Sequence, residues 1–217
     1  MIKAVFFDLD GTLVNSIFDI AAGMNRALAE LHLPGWPVED YYRKVGNGAR
    51  KLCQRALPAD RQELTDVLLP LYNAQYLAHC REKTVPYEGT AEMLASLRAQ
   101  GLKLAVITNK PRSQTEQVIT LLPDGVLDAV FGQQEPFPVK PDPASFRHVA
   151  ALLDVLPEEC LYCGDSDVDV RFAHNAGAKA IGCVWGFRGE RELREAGAEY
   201  LAESPQALAE LVKNLLA

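Results

Sequence analysis

The chain has few of the residues that build most metal and redox centres. It has four histidines, and its five cysteines include only one CxxC pair, Cys160 and Cys163. A structural zinc site needs four such ligands at tight spacing, so none is expected. The CxxC lies in an apolar run, CLYCG, that reads as a buried strand. Free cysteine is among the most buried residue types, and a redox pair needs an exposed thiolate, so these are expected to be reduced core thiols. His32, His79, His148 and His174 fall within helical patterns and are read as structural or solvated.

Basic excess is missing too. Lys and Arg number 22 against 29 Asp and Glu, a net charge of −7, which argues against nucleic acid and anionic membrane as partners. No apolar run is long enough to span a bilayer, and the first residues enter a strand pattern with no signal-peptide character. The expectation is a soluble, cytoplasmic protein, monomer or homodimer. No internal repeat or low-complexity tract is visible.

What is present is a core-forming chain, 48% hydrophobic over 217 residues, which suits one large domain or a core carrying a smaller inserted one. It is organised around Ile2 to Thr12, IKAVFFDLDGT. Ala4-Val5-Phe6-Phe7 does not alternate with polar residues, so both faces of that strand should be buried, as in a parallel sheet. The run ends at Asp8-Leu9-Asp10-Gly11-Thr12. Two carboxylates two residues apart leave the chain on the same side and repel unless a cation or a shared proton lies between them. A metal site, an acid/base pair, or both would meet that condition.

The pattern then turns helical. Ile17, Ile20, Met24, Ala27, Leu28 and Leu31 recur at helical spacing, Pro34-Gly35 ends that helix and Pro37 can open another. Val45-Gly46-Asn47-Gly48 is a break before a helical stretch from Ala49 to Leu57. Asp60 can cap a longer helix towards Cys80, with a kink or interruption expected near Pro70. No strand is expected between Asn15 and Lys83, which leaves an inserted helical block of roughly seventy residues, in the size range of small domains. The domain expectation is therefore a core of 1–15 and 86–217 with a helical cap of 16–85.

From Pro86 strands and helices alternate. Helices are expected over Thr90 to Gln100, Ser113 to Leu122, from Asp142-Pro143 to Leu153, up to about Ala176 after the third strand end, and from Ser204-Pro205 to Ala217. Strands are expected over Leu102 to Ile107, Leu127 to Phe131, Leu161 to Cys163, Ala180 to Val184 and Tyr200-Leu201. The fold class is α/β, a Rossmann-like parallel sheet covered by helices on both faces.

Parallel strands point the same way, so Asp8 and Asp10, Thr108 and Asn109, Lys140, and Asp165 with Asp169 should gather at one sheet edge. A carboxylate cluster without His or Cys selects a hard cation such as Mg²⁺, which commonly shares its coordination with phosphate. Lys140, with hydroxyl and amide donors, would meet the remaining anion, and an Asp can attack phosphorus to form an aspartyl-phosphate. Two unit charges about 4 Å apart repel by roughly 4 kcal/mol at an effective dielectric near 20, the term that Mg²⁺ and Lys140 would offset. In the helical block, Gly46, Asn47, Gly48 and Arg50 form a candidate substrate loop, the glycines allowing close approach and Arg50 offering a partner for an anion.

Asp8-Leu-Asp10-Gly-Thr12, Thr108-Asn109, Lys140-Pro-Asp-Pro and Gly164-Asp165-Ser-Asp-Val-Asp169 resemble, in order, the four motifs of the haloacid dehalogenase superfamily, and the helical block is similar to its small α-helical cap. The resemblance implies that Asp8 is nucleophile and metal ligand. It makes Asp10 the general acid/base, with its backbone carbonyl on the metal, and has Thr108 and Lys140 hold the phosphoryl group. Asp165 would be an acidic metal ligand, with Asp169 supporting the site. The second aspartate of the DxD motif points to phosphoryl transfer rather than dehalogenation. VGNGARKL, ITNKP, KPDPASF and YCGDSDVDV are most similar to phosphoglycolate phosphatases, which implies 2-phosphoglycolate as substrate. Asn15 departs from the Asp usual there, and Glu88 from the usual Pro. β-Phosphoglucomutase-like phosphomutases, and pyrophosphatases or sugar-phosphate phosphatases of the superfamily, are the alternatives. The mutases typically carry a His in the first cap helix, where Ile20 stands here. A non-catalytic binding protein on the same fold is a third possibility.

Overall fold

The computed structural model of the protein describes residues 1–216. Strand β1 (Ala4–Phe7) leads into the short β2 (Val14–Asn15) and then into four helices, α1 (Ile17–Glu30), α2 (Val38–Lys44), α3 (Ala49–Ala56) and α4 (Thr65–His79). After β3 (Val85–Pro86) come α5 (Thr90–Ala99), β4 (Lys103–Pro111), α6 (Arg112–Val118), β5 (Ala129–Gln133) and α7 (Ala144–Leu152). The chain closes with β6 (Cys160–Gly164), α8 (Asp167–Ala176), β7 (Lys179–Cys183), α9 (Glu190–Glu195), β8 (Tyr200–Ala202) and α10 (Pro205–Leu216). The expected end of the last helix at Ala217 lies outside the described residues.

Among the described residues the main sheet has the order β5-β4-β1-β6-β7-β8, and every pairing in it is parallel. β1 is central because all four of its side chains are apolar and buried. Val5 and Phe7 join the core on one face, with Leu94, Leu97, Leu208 and Val212 of α5 and α10. Ala4 and Phe6 join the core on the other, where Phe6 meets Phe146 of α7 at 5.1 Å between ring centroids and Phe146 meets Phe172 of α8 at 5.6 Å. Such aromatic contacts add about 1 kcal/mol each to what area burial supplies. Strand order reverses on either side of β1, so its carboxyl end is the switch point where α/β sheets bind ligands.

The helical stretches between β1 and β4 fall largely where hydrophobic spacing placed them, and the differences have local causes. β2 and β3 form an antiparallel two-stranded ribbon, too short to show an alternation in sequence, and it brings the chain out to α1 and back from α4. α4 runs unbroken through Pro70, against the expected interruption, and the irregular segment lies upstream in a 3₁₀ turn over Ala59–Leu64. Asp19 is the buried acid of α1, and it accepts hydrogen bonds from Lys83 N (2.9 Å), Thr84 N (2.8 Å) and Thr84 Oγ1 (2.7 Å), which fastens the start of the helical block to its exit. β4 continues to Pro111, well past the expected end at Ile107, and β5 begins at Ala129 rather than Leu127. α9 was not expected, since Glu190–Glu195 carries a single buried apolar residue, Leu193.

All five cysteines are free and buried, and Cys160 and Cys163 of β6 face opposite cores. Burial pushes the Cys160 thiol up to about 12 and Cys163 well above its ordinary value, which leaves neither suited to thiolate chemistry. No helix among the described residues is long and apolar enough to cross a membrane.

Candidate active site

The ladder between β1 and β6 runs one bond past the strand, with Asp8 N donating to Cys163 O at 2.9 Å. The chain then turns tightly. Leu9 O accepts from Leu13 N and Val14 N at 3.0 and 3.1 Å, and Gly11 N donates to Val14 O at 2.9 Å. Gly11 has φ +85°, and a Cβ there would fall on the Asp165 carboxylate, so both conformation and space demand glycine. Asp8 is left pointing out of the sheet edge beside Asp165, which follows β6 in the adjacent strand.

Lys140 reaches into this edge from the loop after β5. Its Nζ lies 2.7 Å from Asp169 Oδ1, 2.9 Å from Tyr162 Oη and 2.9 Å from Asp8 Oδ1. The contact with Asp8 is an ion pair off the hydrogen-bonding directions, so Asp8 Oδ1 is buried without a hydrogen-bond donor among the described residues. Burial works against the Lys140 ammonium, yet Asp169 and Asp8 beside it hold its pKa well above 10.5. Asn109 fixes the lysine's backbone, accepting from Lys140 N at 2.7 Å and donating to Lys140 O at 3.3 Å. Its amide also donates to Gly46 O at 3.1 Å, tying the helical block to the sheet edge.

Asp169 sits in the first turn of α8, and its Oδ2 accepts from Ser166 N at 3.1 Å and Ser166 Oγ at 2.6 Å. Both of its oxygens are therefore engaged. Asp165 accepts from Phe187 N at 2.6 Å through Oδ2. Ligand oxygens of Asp8, Asp165 and Asp169 lie within 4.8 Å of one another, all three residues buried. Burial raises Asp8 to about 6, with Lys140 pulling the other way, and burial followed by Asp169 and Asp8 raises Asp165 well above the usual carboxylate range. Three buried acids face one buried ammonium, so the cluster lacks positive charge. Its donors are all hard oxygens, and Asp8 Oδ1 takes no hydrogen bond; this set fits Mg²⁺. Asp8 and Asp165 would hold the ion. Asp169, with both oxygens committed, positions Lys140.

The carboxylate of Asp10 turns away from this cluster. Lys110 Nζ donates to both of its oxygens, at 2.8 and 2.7 Å, and Ser16 Oγ donates to Oδ1 at 2.6 Å. Lys110 also lies 4.4 Å from the Tyr76 ring centroid of α4. Neither Lys110 nor Ser16 was singled out from sequence, although Thr108 and Lys110 stand two apart, the spacing that places side chains on one face of a strand.

Asp8, Asp10, Thr108, Asn109 and Asp165 line a cavity of about 50 Å³. One water needs roughly 10–15 Å³ on the same scale, so the space takes a ligand of a few heavy atoms. Its other wall comes largely from the helical block and is mostly apolar, including Ile20, Val45, Leu52 and Tyr72. Gly46 and Gly48 line it as well. Asn47 instead accepts a hydrogen bond from Arg55 (2.7 Å), away from the cavity. Arg50 also lies outside it, paired with Asp66 at 2.5 Å on the exposed side of the helices, because α3 turns that position towards α4 rather than the sheet edge. The loop after β7 contributes Phe187 and Arg188, which no sequence pattern pointed to.

Residues 2–177 match the family model described as haloacid dehalogenase-like hydrolase. The chain is 35% identical over 221 residues to a phosphoglycolate phosphatase of Pseudomonas putida, the match covering 99% of this chain and 78% of that one. It is 33% identical over 219 residues to a phosphoglycolate phosphatase of Mannheimia succiniciproducens, covering 97% and 98%. The crystal structure of a Lactobacillus delbrueckii subsp. bulgaricus protein, provisionally named phosphoglycolate phosphatase, superposes with a TM-score of 0.90 at 26% identity, over 97% of this chain and 98% of that one.

Proposed function

Since the chain belongs to the haloacid dehalogenase-like hydrolases and is a phosphoric monoester hydrolase, we propose that it is a Mg²⁺-dependent phosphatase that hydrolyses 2-phosphoglycolate through a phosphoryl group carried on Asp8. The observation that carries the reading is the buried Asp8 carboxylate, its Oδ1 paired with the Lys140 ammonium but taking no hydrogen bond, held at the sheet's switch point between Lys140 and Asp165. The names of the relatives and the small volume of the cavity favour a short phosphorylated acid.

In this reading an Asp8 oxygen attacks phosphorus, an acyl phosphate forms, and the bond to the ester oxygen breaks. Asp10, held by Lys110 and Ser16, passes to the leaving oxygen a proton drawn from the Lys110 ammonium that hydrogen-bonds both of its oxygens. It then takes one from the water that attacks the acyl phosphate, which frees Asp8 and inorganic phosphate. Thr108 and Lys140 hold the phosphoryl oxygens, and Asn109 keeps Lys140 in register. Mg²⁺ bound at Asp8 and Asp165, with the Asp10 carbonyl, would supply charge neutralisation between the incoming dianion and Asp8.

Residues 16–85 act as a cap that closes over the core of 1–15 and 86–217 and shuts out water. Gly46 and Gly48 let the cap backbone approach the bound ester. Ile20 lines the cavity and cannot move a proton, which favours hydrolysis over a phosphomutase reaction.

Phosphate release from 2-phosphoglycolate tests this. Wild type with Mg²⁺ should turn over, chelation should abolish turnover, and Asp8→Asn should lose at least about a thousandfold in kcat. An Asp8→Asn variant within tenfold of wild type would remove Asp8 as nucleophile.

A further inference from the structure

A ligand that fills the cavity with a phosphoryl group at Asp8 presents its other end to a wall that is mostly apolar. If that end is a carboxylate, it needs a cation whose donors are free. Lys140 sits at the phosphoryl end, its ammonium against Asp169, Tyr162 and Asp8. Lys110 gives both oxygens of Asp10 its attention and rests against Tyr76. Arg50 faces solvent with Asp66. Arg188 is the remaining cation lining the cavity among the described residues.

Its side chain is only 13% exposed. One nitrogen, Nη2, donates to Val45 O of the helical block at 2.8 Å, and Nε lies 3.7 Å from Glu192. A guanidinium carries five N–H donors in a planar fork that matches a carboxylate, so donors remain after these two contacts. Placement is rigid on the core side. The preceding residue, Phe187, donates its backbone N–H to Asp165, and a Cβ on Gly186 would collide with Asp165 and Gly11. The loop is thus moulded directly onto the acid that flanks Asp8.

We infer that Arg188 is the residue that binds the carboxylate of the substrate and so selects short phosphorylated acids, a role that rests on the phosphatase reading above. Because it directly follows the residue that contacts Asp165, the span between the two anion sites is set by the core loop, whereas Val45 O brings the helical block into the same grip. A ligand carboxylate taken up by Arg188 would therefore also favour the closed arrangement.

The test compares two esters that differ at the far end, 2-phosphoglycolate with its carboxylate and 2-hydroxyethyl phosphate with an uncharged hydroxyl, with Mg²⁺ present. The readout is the ratio of their kcat/KM values for wild type, Arg188→Lys and Arg188→Leu, each checked for folding by circular dichroism and thermal melting. Wild type should prefer the carboxylate. Arg188→Leu should lose that preference by about tenfold to a hundredfold, mostly through KM, as expected for one charge-assisted contact. Arg188→Lys should keep part of it. Equal losses on both esters would assign Arg188 only to holding Val45 and overturn the proposal. So would a wild type that hydrolyses both esters without preference, a result that leaves the phosphatase reading standing. If wild type hydrolyses neither ester, the phosphatase reading fails and the proposal falls with it.

Discussion

Lys110 and Asp10 are a hundred residues apart in the chain, and the lysine ammonium grips both carboxylate oxygens of the aspartate at the lining of the cavity. Their side chains are 3% and 12% exposed. Removing one partner of such a buried pair leaves a stranded charge, which typically costs about 3 kcal/mol or more. Lys110→Met should therefore lower the unfolding free energy by about 3 kcal/mol, and adding Asp10→Asn should recover part of the loss. Urea unfolding of the single and double variants checks this. A loss below about 1 kcal/mol in Lys110→Met would mean that solvent already screens the pair.

The acid that carries the proposed chemistry is held at a cost to stability. Burial raises Asp8 from an ordinary 3.8 to about 6, which corresponds to about 3 kcal/mol between its two protonation states. A raised carboxyl stabilises the fold fully below its unfolded pKa, and that contribution is lost as pH rises through the folded value. In metal-free buffer Asp8→Asn should match wild type near pH 4 and exceed it increasingly from pH 4 to 7. The gain should approach about 3 kcal/mol, read as the difference between two denaturation curves at each pH. A difference that does not change across that range would show that Asp8 is not strained.

Metal binding should reverse this. A cation that binds the folded form at a hundred times its Kd adds about 2.7 kcal/mol. Mg²⁺ should raise the melting temperature of wild type, and Asp165→Asn should lose most of that rise while still folding. An equal rise in both proteins would move the ion away from Asp165.

Asp19 should prove a structural acid. It takes hydrogen bonds from two backbone N–H groups and one hydroxyl at residues 83 and 84, buried at Thr84 and part-buried at Lys83. Asp19→Ala strands those donors and should cost about 3 kcal/mol or more. It should also raise hydrogen exchange at Lys83 and Thr84 well before exchange rises in β1. Unchanged protection at those two amides would show that the ribbon of β2 and β3 holds without it.

How far the sequence led depended on whether a residue's partners were implied by its own surroundings. The unbroken apolar character of Ala4 to Phe7 announced a central parallel strand, and polar residues at successive strand ends then had to share an edge, which placed Asp8, Lys140 and Asp165 within reach of one another. Lys110 escaped notice because Thr108-Asn109-Lys110 reads as a turn, whereas β4 runs on through Pro111 and carries the lysine inside. Asp19 was hidden for the same reason in reverse. Nothing in a largely apolar helix says that its one buried acid will meet a backbone more than sixty residues away. Arg50 looked like the cation for an anionic ligand because it follows a glycine-rich break, but helical rotation turns it to Asp66. Arg188 sits in a loop without periodicity, where only three-dimensional packing reveals what it faces.

β1 has a consequence for how the protein is made. It precedes every other strand of its sheet in the chain, yet its neighbours on either side begin at Lys103 and Cys160. Until the second of these emerges, four apolar side chains and the acid behind them have no complete sheet to join. Long-range pairing of this kind is slow and leaves nascent surface open to aggregation. The strand that leads into Asp8 is translated well before its partners and finished late, so a growing chain completes this sheet edge only after Cys160 to Gly164 has been synthesised.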